Sequence, residues 1–461
     1  MVSVSRLAAS ILLAEPTTYQ DIILPGQASV EQYSILRYMG GSGPYVQHPG
    51  YGIPNQIPEE CQIQQVQVFA RHGERYPSAS KGEDFEGLLK KFKSYSEPFK
   101  GPLYFLNEYE YFVKRKKDYE MLTTPSNSRS QYNGYADAIR HGIFFRQKYG
   151  SLYDENFVLP LFTTNNMRVY ETSQGFIEGF LSDEHSTEKF KNIILSEDSQ
   201  MGANSLTPAS ACSTWSDDYA NEIVSRYSSK YLESIKKRLL KDNKGLNLST
   251  DDVYTLFDWC AYEMNVKGIS QFCSLFSQDE LVKYEYSQDL YGFYSDGTGN
   301  KVIKPIGSVL FNASRQLLNE DTENKIWLSF FHDTDLENYL AAIGLFDTGK
   351  NLTLKYIDFD RKYTKSTLVP MGARLYVEKL NCSGKNYVRY ILNDAVIPIP
   401  GCSNGPGFSC ELNDFNNYFF KRLEGVDYKE QCNIGNASDH LTFYWDYMTK
   451  DYSAPLKKLS Y

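Results

Sequence analysis

The chain has 461 residues, 41% hydrophobic and 23% charged, with no low-complexity tract or short-period repeat. That apolar content fills a large core in one big domain or two to three ordinary ones, and it weighs against a disordered chain. The formal net charge of −9 weighs against nucleic acid or an anionic membrane as a general partner.

Near the start, Arg6 precedes the apolar run Leu7 to Ala14, which is too short to span a bilayer but fits the core of a signal peptide ending at about residue 19. No later segment approaches the ~20 uninterrupted apolar residues that a membrane span needs, so a released or wall-retained protein is expected. The glycine-rich stretch Gly40 to Gly52 lacks the lysine and following helix of a phosphate loop and reads as a packed surface loop.

The first strand pattern is Ile63 to Ala70, ending at Arg71. A capping box, Ser80 to Glu83, then opens a helix with Phe85, Leu88, Leu89 and Phe92 at helical spacing. The basic run Lys114 to Lys117 in a Tyr- and Glu-rich helical stretch reads as a solvated face. The second strand, Phe157 to Thr164, ends near Arg168 and leads into a helical stripe of Val169, Ser173, Phe176, Ile177 and Phe180. About 150 mostly helical residues follow, including Tyr219 to Leu240 and Asp251 to Asn265; this is too long for a crossover and predicts a helical cap subdomain. The third strand, Ile326 to Phe331, ends at His332 and Asp333, before a helix with Leu336, Tyr339, Leu340 and Ile343 on one face. After Lys365 the runs Arg374 to Glu378 and Tyr387 to Leu392 alternate like hairpin strands. The pattern is a mixed α/β sheet with a large insertion.

The eight cysteines, at 61, 212, 260, 273, 382, 402, 410 and 432, include no C-x-x-C pair, so disulfides are expected rather than zinc or thioredoxin chemistry. Glycosylation acceptors at Asn247, Asn312, Asn351, Asn381 and Asn436 point the same way, to the secretory route.

Ligands of open α/β sheets bind beyond the carboxyl ends of strands, so the three charged clusters are expected to converge. The plainer alternative is that each solvates its own strand end. Arg71 and Arg75 offer planar forks suited to an anion, phosphate before carboxylate, at roughly 1.5–3 kcal/mol per charge-assisted hydrogen bond. Gly73 lets backbone and ligand approach. Nearby positive charge lowers the proton affinity of His72, keeping a ring lone pair free to attack phosphorus. A leaving alkoxide needs a proton, which Asp333 supplies as general acid if protonated at the start, a condition that favours acid pH. His332 adds a donor to the phosphate. Asp335 reads as a first-turn residue favoured by the helix dipole, and Thr334 or Asp333 as the cap. There is no G-x-x-x-x-G-K-[S/T], H-E-x-x-H or G-x-S-x-G, which leaves nucleotide-loop, zincin and serine-hydrolase chemistry without a motif. His48, His141, His185 and His440 have no close histidine partner and read as structural, not as metal ligands.

The run Arg71-His72-Gly73-Glu74-Arg75-Tyr76-Pro77 resembles the R-H-G-x-R-x-P signature of the histidine acid phosphatases, and His332-Asp333 resembles their second motif. The resemblance runs over nearly the whole chain and is nearest to the secreted acid phosphatases of budding yeasts, through "GGSGPY", "WLSFFHDTD" and "YVRYILNDAV". It implies a three-layer sandwich, a central mixed sheet flanked by helices, with a mostly helical cap inserted at about 83–150 and 185–310 of a catalytic domain over 20–461. It implies a metal-independent phosphomonoesterase without cofactor, in which His72 becomes phosphohistidine. Arg71, Arg75, Arg168 and His332 would hold the phosphoryl group and Asp333 would donate the proton; Arg168 is matched by context alone. Ser173 departs from the alanine of many relatives. The resemblance also implies disulfides Cys61–Cys382, Cys212–Cys432, Cys260–Cys273 and Cys402–Cys410, where the spacing alone leaves roughly a hundred connectivities open. The substrates expected are small phosphate monoesters, in an extracellular, periplasmic or wall location, with homo-oligomerisation left open. A phytase on the same scaffold, with Lys81 meeting a second phosphate, is the alternative; a catalytically silent wall glycoprotein is the third.

Overall fold

The first strand, β1 (Cys61–Arg71), is buried from Gln65 to Arg71 because it has a partner on both sides. A computed structural model describes residues 34–457, so the leader expected at 1–19 lies outside the described residues. The other strands are β2 (Leu159–Thr164), β3 (Phe190–Leu195), β4 (Ile326–Phe331), β5 (Arg374–Cys382), β6 (Lys385–Leu392), β7 (Ala395–Ile397) and the short β8 (Cys410–Glu411). They form one sheet in the order β3-β2-β4-β1-β5-β6-β7, with β8 beside β6. The first four strands of that order are parallel, and pairing turns antiparallel at β1–β5. Every residue of β2 and β4 is buried, as strands covered on both faces require.

The antiparallel end is built from tight turns. Ser383 and Gly384 between β5 and β6, and Asn393 and Asp394 between β6 and β7, all have positive φ. Two consecutive left-handed residues make the turn whose twist matches a hairpin.

Helices cover the sheet. They are α1 (Ala79–Ser94), α2 (Gly134–Tyr149), α3 (Met167–Leu181), α4 (Asp218–Ser225), α5 (Lys230–Leu240), α6 (Thr250–Lys267), α7 (Gln278–Ser295), α8 (Ile303–Asn319), α9 (Asp333–Ile343), α10 (Lys365–Leu368) and α11 (Leu412–Arg422), besides shorter turns. The two-residue period of β1 sorts its side chains between layers. Val66, Val68 and Ala70 join Phe145, Tyr149, Phe176 and Phe180 of α2 and α3. On the opposite face, Phe69 packs with Phe311 of α8, Tyr339 of α9 and Phe415 of α11. The side-chain amides of Gln65 and Gln67 on that face donate to the carbonyls of Leu317 and Ser314.

A separate core joins Phe85, Leu88 and Phe92 of α1 to Leu103, Phe112, Ile235, Leu239, Leu256, Trp259, Phe272 and Tyr284. This second core is made of helices and turns, apart from the cores that cover the sheet. Helix α2 lies on the sheet, β3 is a sheet strand, and Ala220, Ile223 and Phe311 of α4 and α8 belong to the sheet's core. The strand β3 (FKNIIL) escapes sequence reading because Lys191 and Asn192 interrupt its apolar pattern. Its outer edge is completed by the distant C-terminal segment, where Ile194 N–H donates to Tyr452 O (2.7 Å) and Ala454 N–H to Ile194 O (3.1 Å).

Local corrections follow from backbone geometry. Ser78, not Ser80, caps α1 by accepting the Lys81 N–H (3.3 Å), so no box forms at Ser80 to Glu83. The expected helix from 219 to 240 is two helices, broken at Arg226 to Ser229. The basic run 114–117 lies mostly in a loop and a short 3-10 turn, its side chains exposed and paired with Glu110, Asp118 and Glu86.

Disulfides join Cys61 to Cys382 across β1 and β5, Cys212 to Cys432, Cys260 to Cys273 within the second core, and Cys402 to Cys410. Asn247, Asn312, Asn351 and Asn436 are exposed; Asn381 is half-buried and bonds Asn386. No helix of the described residues is long and apolar enough to cross a membrane.

Candidate active site

The strands β2, β4 and β1 are neighbours and run parallel, so their carboxyl ends share one edge of the sheet. Register makes the edge level: Arg71 pairs with Phe331, and Phe330 with Thr163. Beyond that edge lie Arg71 and His72, then His332 and Asp333, then Arg168 in the first turn of α3. The three clusters thus meet in one place.

His72 is almost fully buried. Its Nδ1 lies 2.8 Å from the carbonyl of Gly73. A carbonyl only accepts, so Nδ1 carries the proton and Nε2 keeps the lone pair. Burial first, then the charges of Arg168, Arg71, Arg75 and His332, push the proton affinity of this ring well below the histidine range. The expectation from sequence credited charge alone; burial is the larger cause.

Arg71 is anchored by Gly41 O and Val369 O, both 2.6 Å from Nη1, while Nη2 pairs with Asp333 at 3.0 Å. The start of the glycine-rich stretch, with Gly40 and Gly41 buried, is therefore a wall of the site, while its far end at Pro49, Tyr51 and Gly52 is exposed as a surface loop. Arg75 donates to Tyr76 O (2.9 Å) and lies 5.7 Å over the Tyr262 ring. Arg168 lies 3.5 Å from Glu120, and burial, then Arg75, lowers its pKa to about 10. Among the described residues, the buried Nε–H groups of Arg71, Arg75 and Arg168 have no hydrogen-bond partner. Three unpaired cationic donors around one neutral ring are suited to a tetrahedral anion.

Gly73 serves a different purpose from the one expected. A Cβ there would sit 2.7 Å from Gly134 O at the start of α2, so the glycine admits a helix rather than a ligand. Its N–H donates to Thr172 Oγ1 (3.0 Å), which donates to Arg168 O (2.7 Å) and so ties the signature loop to α3. Glu74 is fully buried and accepts the Tyr45 N–H (2.9 Å).

Asp333 is the first residue of α9, with His332 as its cap. Burial pushes its carboxyl up, but Arg71, Lys365, His332 and Arg75 outweigh burial and hold it well below the carboxylate range. The group expected to start protonated is thus an ion-paired carboxylate. Asp335 lies in the first turn as expected, but it is buried there, and burial first, then Glu197, Asp333 and Asp296, pushes its carboxyl well up. Lys81 pairs with Asp258 at 2.8 Å and Asp84 at 3.5 Å. A cavity of about 340 Å³ reaches Arg71, Gly73, Thr172, Arg140 and Arg374 but is not lined by His72.

Sequence reasoning missed Lys365, Tyr262, Glu120 and Glu197. The last accepts the His332 Nε2–H at 2.6 Å. None carries a motif, and Glu197 follows the strand that the pattern concealed.

A buried neutral imidazole, three arginines and an adjacent carboxylate at the ends of parallel strands define a phosphoryl-transfer site. Residues 62–393 match the histidine phosphatase superfamily (branch 2), and the chain belongs to that family. It is 51% identical to the phytase PHO112 of Candida albicans over 99% of this chain and all of that one. It is 46% identical to the constitutive acid phosphatase of Saccharomyces cerevisiae over 93% of each chain. The crystal structure of the phytase from D. castellii superposes with a TM-score of 0.93 at 49% identity, covering 96% of each chain.

Proposed function

We propose that this protein is a secreted acid phosphatase that hydrolyses phosphate monoesters through a phosphohistidine on His72. The single observation that carries the reading is the His72 ring: its Nδ1–H is spent on Gly73 O, and Nε2 is left with a free lone pair among guanidinium Nε–H donors that have no partner. Arg71, Arg75, Arg168 and His332 hold the phosphoryl oxygens. The Nε2 lone pair forms a bond to phosphorus as the ester P–O bond breaks, and Asp333 gives its proton to the departing oxygen. Water then attacks the phosphohistidine, Asp333 takes back a proton, and orthophosphate leaves.

Asp333 acquires its first proton with the substrate. Negative phosphate beside Arg71 offsets the charge that holds Asp333 ionised, so its proton affinity rises on binding, and acid pH favours that uptake. Four disulfides and four exposed glycosylation acceptors support a secreted location.

The phytase reading has two relatives of that name behind it. Against it, the Lys81 charge is already taken up by Asp258. A silent glycoprotein is disfavoured by the presence of all six polar residues. The test is hydrolysis of phytate and of an aryl phosphate across acid pH, with chelator present, by the parent and by His72→Ala. The parent should favour the aryl phosphate and His72→Ala should be inactive; strong preference for phytate reverses the choice, and undiminished hydrolysis by His72→Ala removes the mechanism.

A further inference from the structure

Glu197 lies two residues beyond β3, and both of its carboxylate oxygens are engaged. Oε1 is 2.6 Å from His332 Nε2, and Oε2 is 3.2 Å from Lys457 Nζ. Its backbone N–H donates to Asn165 Oδ1 (3.1 Å), and Asn165 is itself held by the C-terminal segment through Pro455 O (3.0 Å) and the Lys457 N–H (2.8 Å). The carboxylate is therefore fixed from three directions: the ends of β2 and β3, and the segment that closes the sheet edge.

We propose that Glu197 is a positioning residue for the phosphoryl transfer: by accepting the His332 Nε2–H it leaves Nδ1 as the donor to the phosphoryl oxygens and keeps the ring doubly protonated while it donates. This rests on reading His332 as a phosphate ligand. With Nε2 committed to Glu197, Nδ1 is the only ring nitrogen left for the phosphate. An Nδ1 that donates while Nε2–H also donates belongs to an imidazolium. The opposite tautomer would set an Nε2 lone pair against a carboxylate.

The groups facing His332 set the balance. Arg168 of α3 opposes its charge, Asp333 of α9 and Glu197 support it, and the His72 ring from the end of β1 lies 5.7 Å away. Lys457 bears on Glu197 from the C-terminal segment, and Asp335 of α9 feels Glu197. Burial first, then Arg168, lowers the proton affinity of His332, against which Glu197 is the leading support.

The test measures kcat and KM for nitrophenyl phosphate from about pH 3 to pH 7, with inhibition by inorganic phosphate, in the parent, Glu197→Gln, Glu197→Asp and His332→Ala. Glu197→Gln should move the basic limb of kcat/KM about one pH unit lower and weaken phosphate binding roughly tenfold on that limb, with near-parent values at the acid end. Glu197→Asp should recover part of the shift. In a His332→Ala background, Glu197→Gln should add no further shift. A uniform loss at every pH, with the limb unmoved, overturns the proposal and leaves a structural role. If His332→Ala itself binds phosphate as the parent does, the reading of His332 fails instead. One readout needs no folded Glu197 variant. With phosphate bound at about pH 5, the ¹⁵N signals of His332, assigned by their loss in His332→Ala, should show both nitrogens protonated; a bare nitrogen overturns the proposal.

Discussion

His72 stays neutral because it is buried, and the surrounding arginines strengthen that effect. Asp333, about a quarter exposed, stays charged because Arg71 lies 3.0 Å away and Lys365 adds to it. The two proposed roles, nucleophile and acid, are thus set apart by partners as well as by depth. Asp333→Asn should slow alkyl phosphates by about 10²–10⁴-fold and nitrophenyl phosphate far less, since a good leaving group needs little protonation. Equal slowing of both in steady-state assays would point to a positioning role for Asp333. A second residue-scale prediction concerns Asp296, whose carboxyl burial and Glu337 push up to about 7. A raised folded-state pKa means that this residue's contribution is intact below the ordinary carboxyl range and is lost as pH climbs through about 7. Asp296→Asn should therefore gain on the parent between about pH 4 and pH 8, by on the order of 2–4 kcal/mol, read as the pH dependence of denaturant unfolding.

At the scale of elements, α2 and α3 approach closely through glycines. A Cβ on Gly179 would meet Ile139 O at 2.0 Å, and one on Gly142 would meet Phe176 O at 2.0 Å. Because α3 carries Arg168 and Thr172, this packing sets the third arginine against the signature loop. Gly179→Ala should cost about 1–3 kcal/mol of stability by overpacking. It should also raise KM more than an equally destabilising substitution on the outer face of α2, because it displaces the helix that carries Arg168, the proposed third phosphate ligand. Thermal unfolding paired with kinetics separates the two effects.

For the whole molecule, the antiparallel half and the C-terminal segment hold the catalytic edge from outside. Cys61–Cys382 ties β1 to β5, and Cys212–Cys432 fastens the segment before α4 to the C-terminal region. Replacing Cys212 and Cys432 together by serine should lower stability by about 2–4 kcal/mol, seen as a lower Tm, with kcat at moderate temperature nearly unchanged. A comparable fall in kcat would show that the C-terminal region is coupled to the site through more than stability.

Much of this was legible in the sequence because it is local. A strand that stops at Arg71 and another that stops at Phe331 place the residues after them at the sheet's edge, and the alternating runs at 374–378 and 387–392 announce a hairpin. Contacts across long separations were not legible. The Glu197–His332 pair spans 135 residues and depends on β3 lying at the sheet edge, which no local period announces. The charge state of Asp333 was likewise decided in space: residue type made it a candidate acid, and only the approach of Arg71 and Lys365 made it an anion. Chain chemistry alone determined which groups can react and where strands end. Strand order and burial decided which of those groups meet and which carry a proton, because both depend on neighbours that sequence distance does not encode.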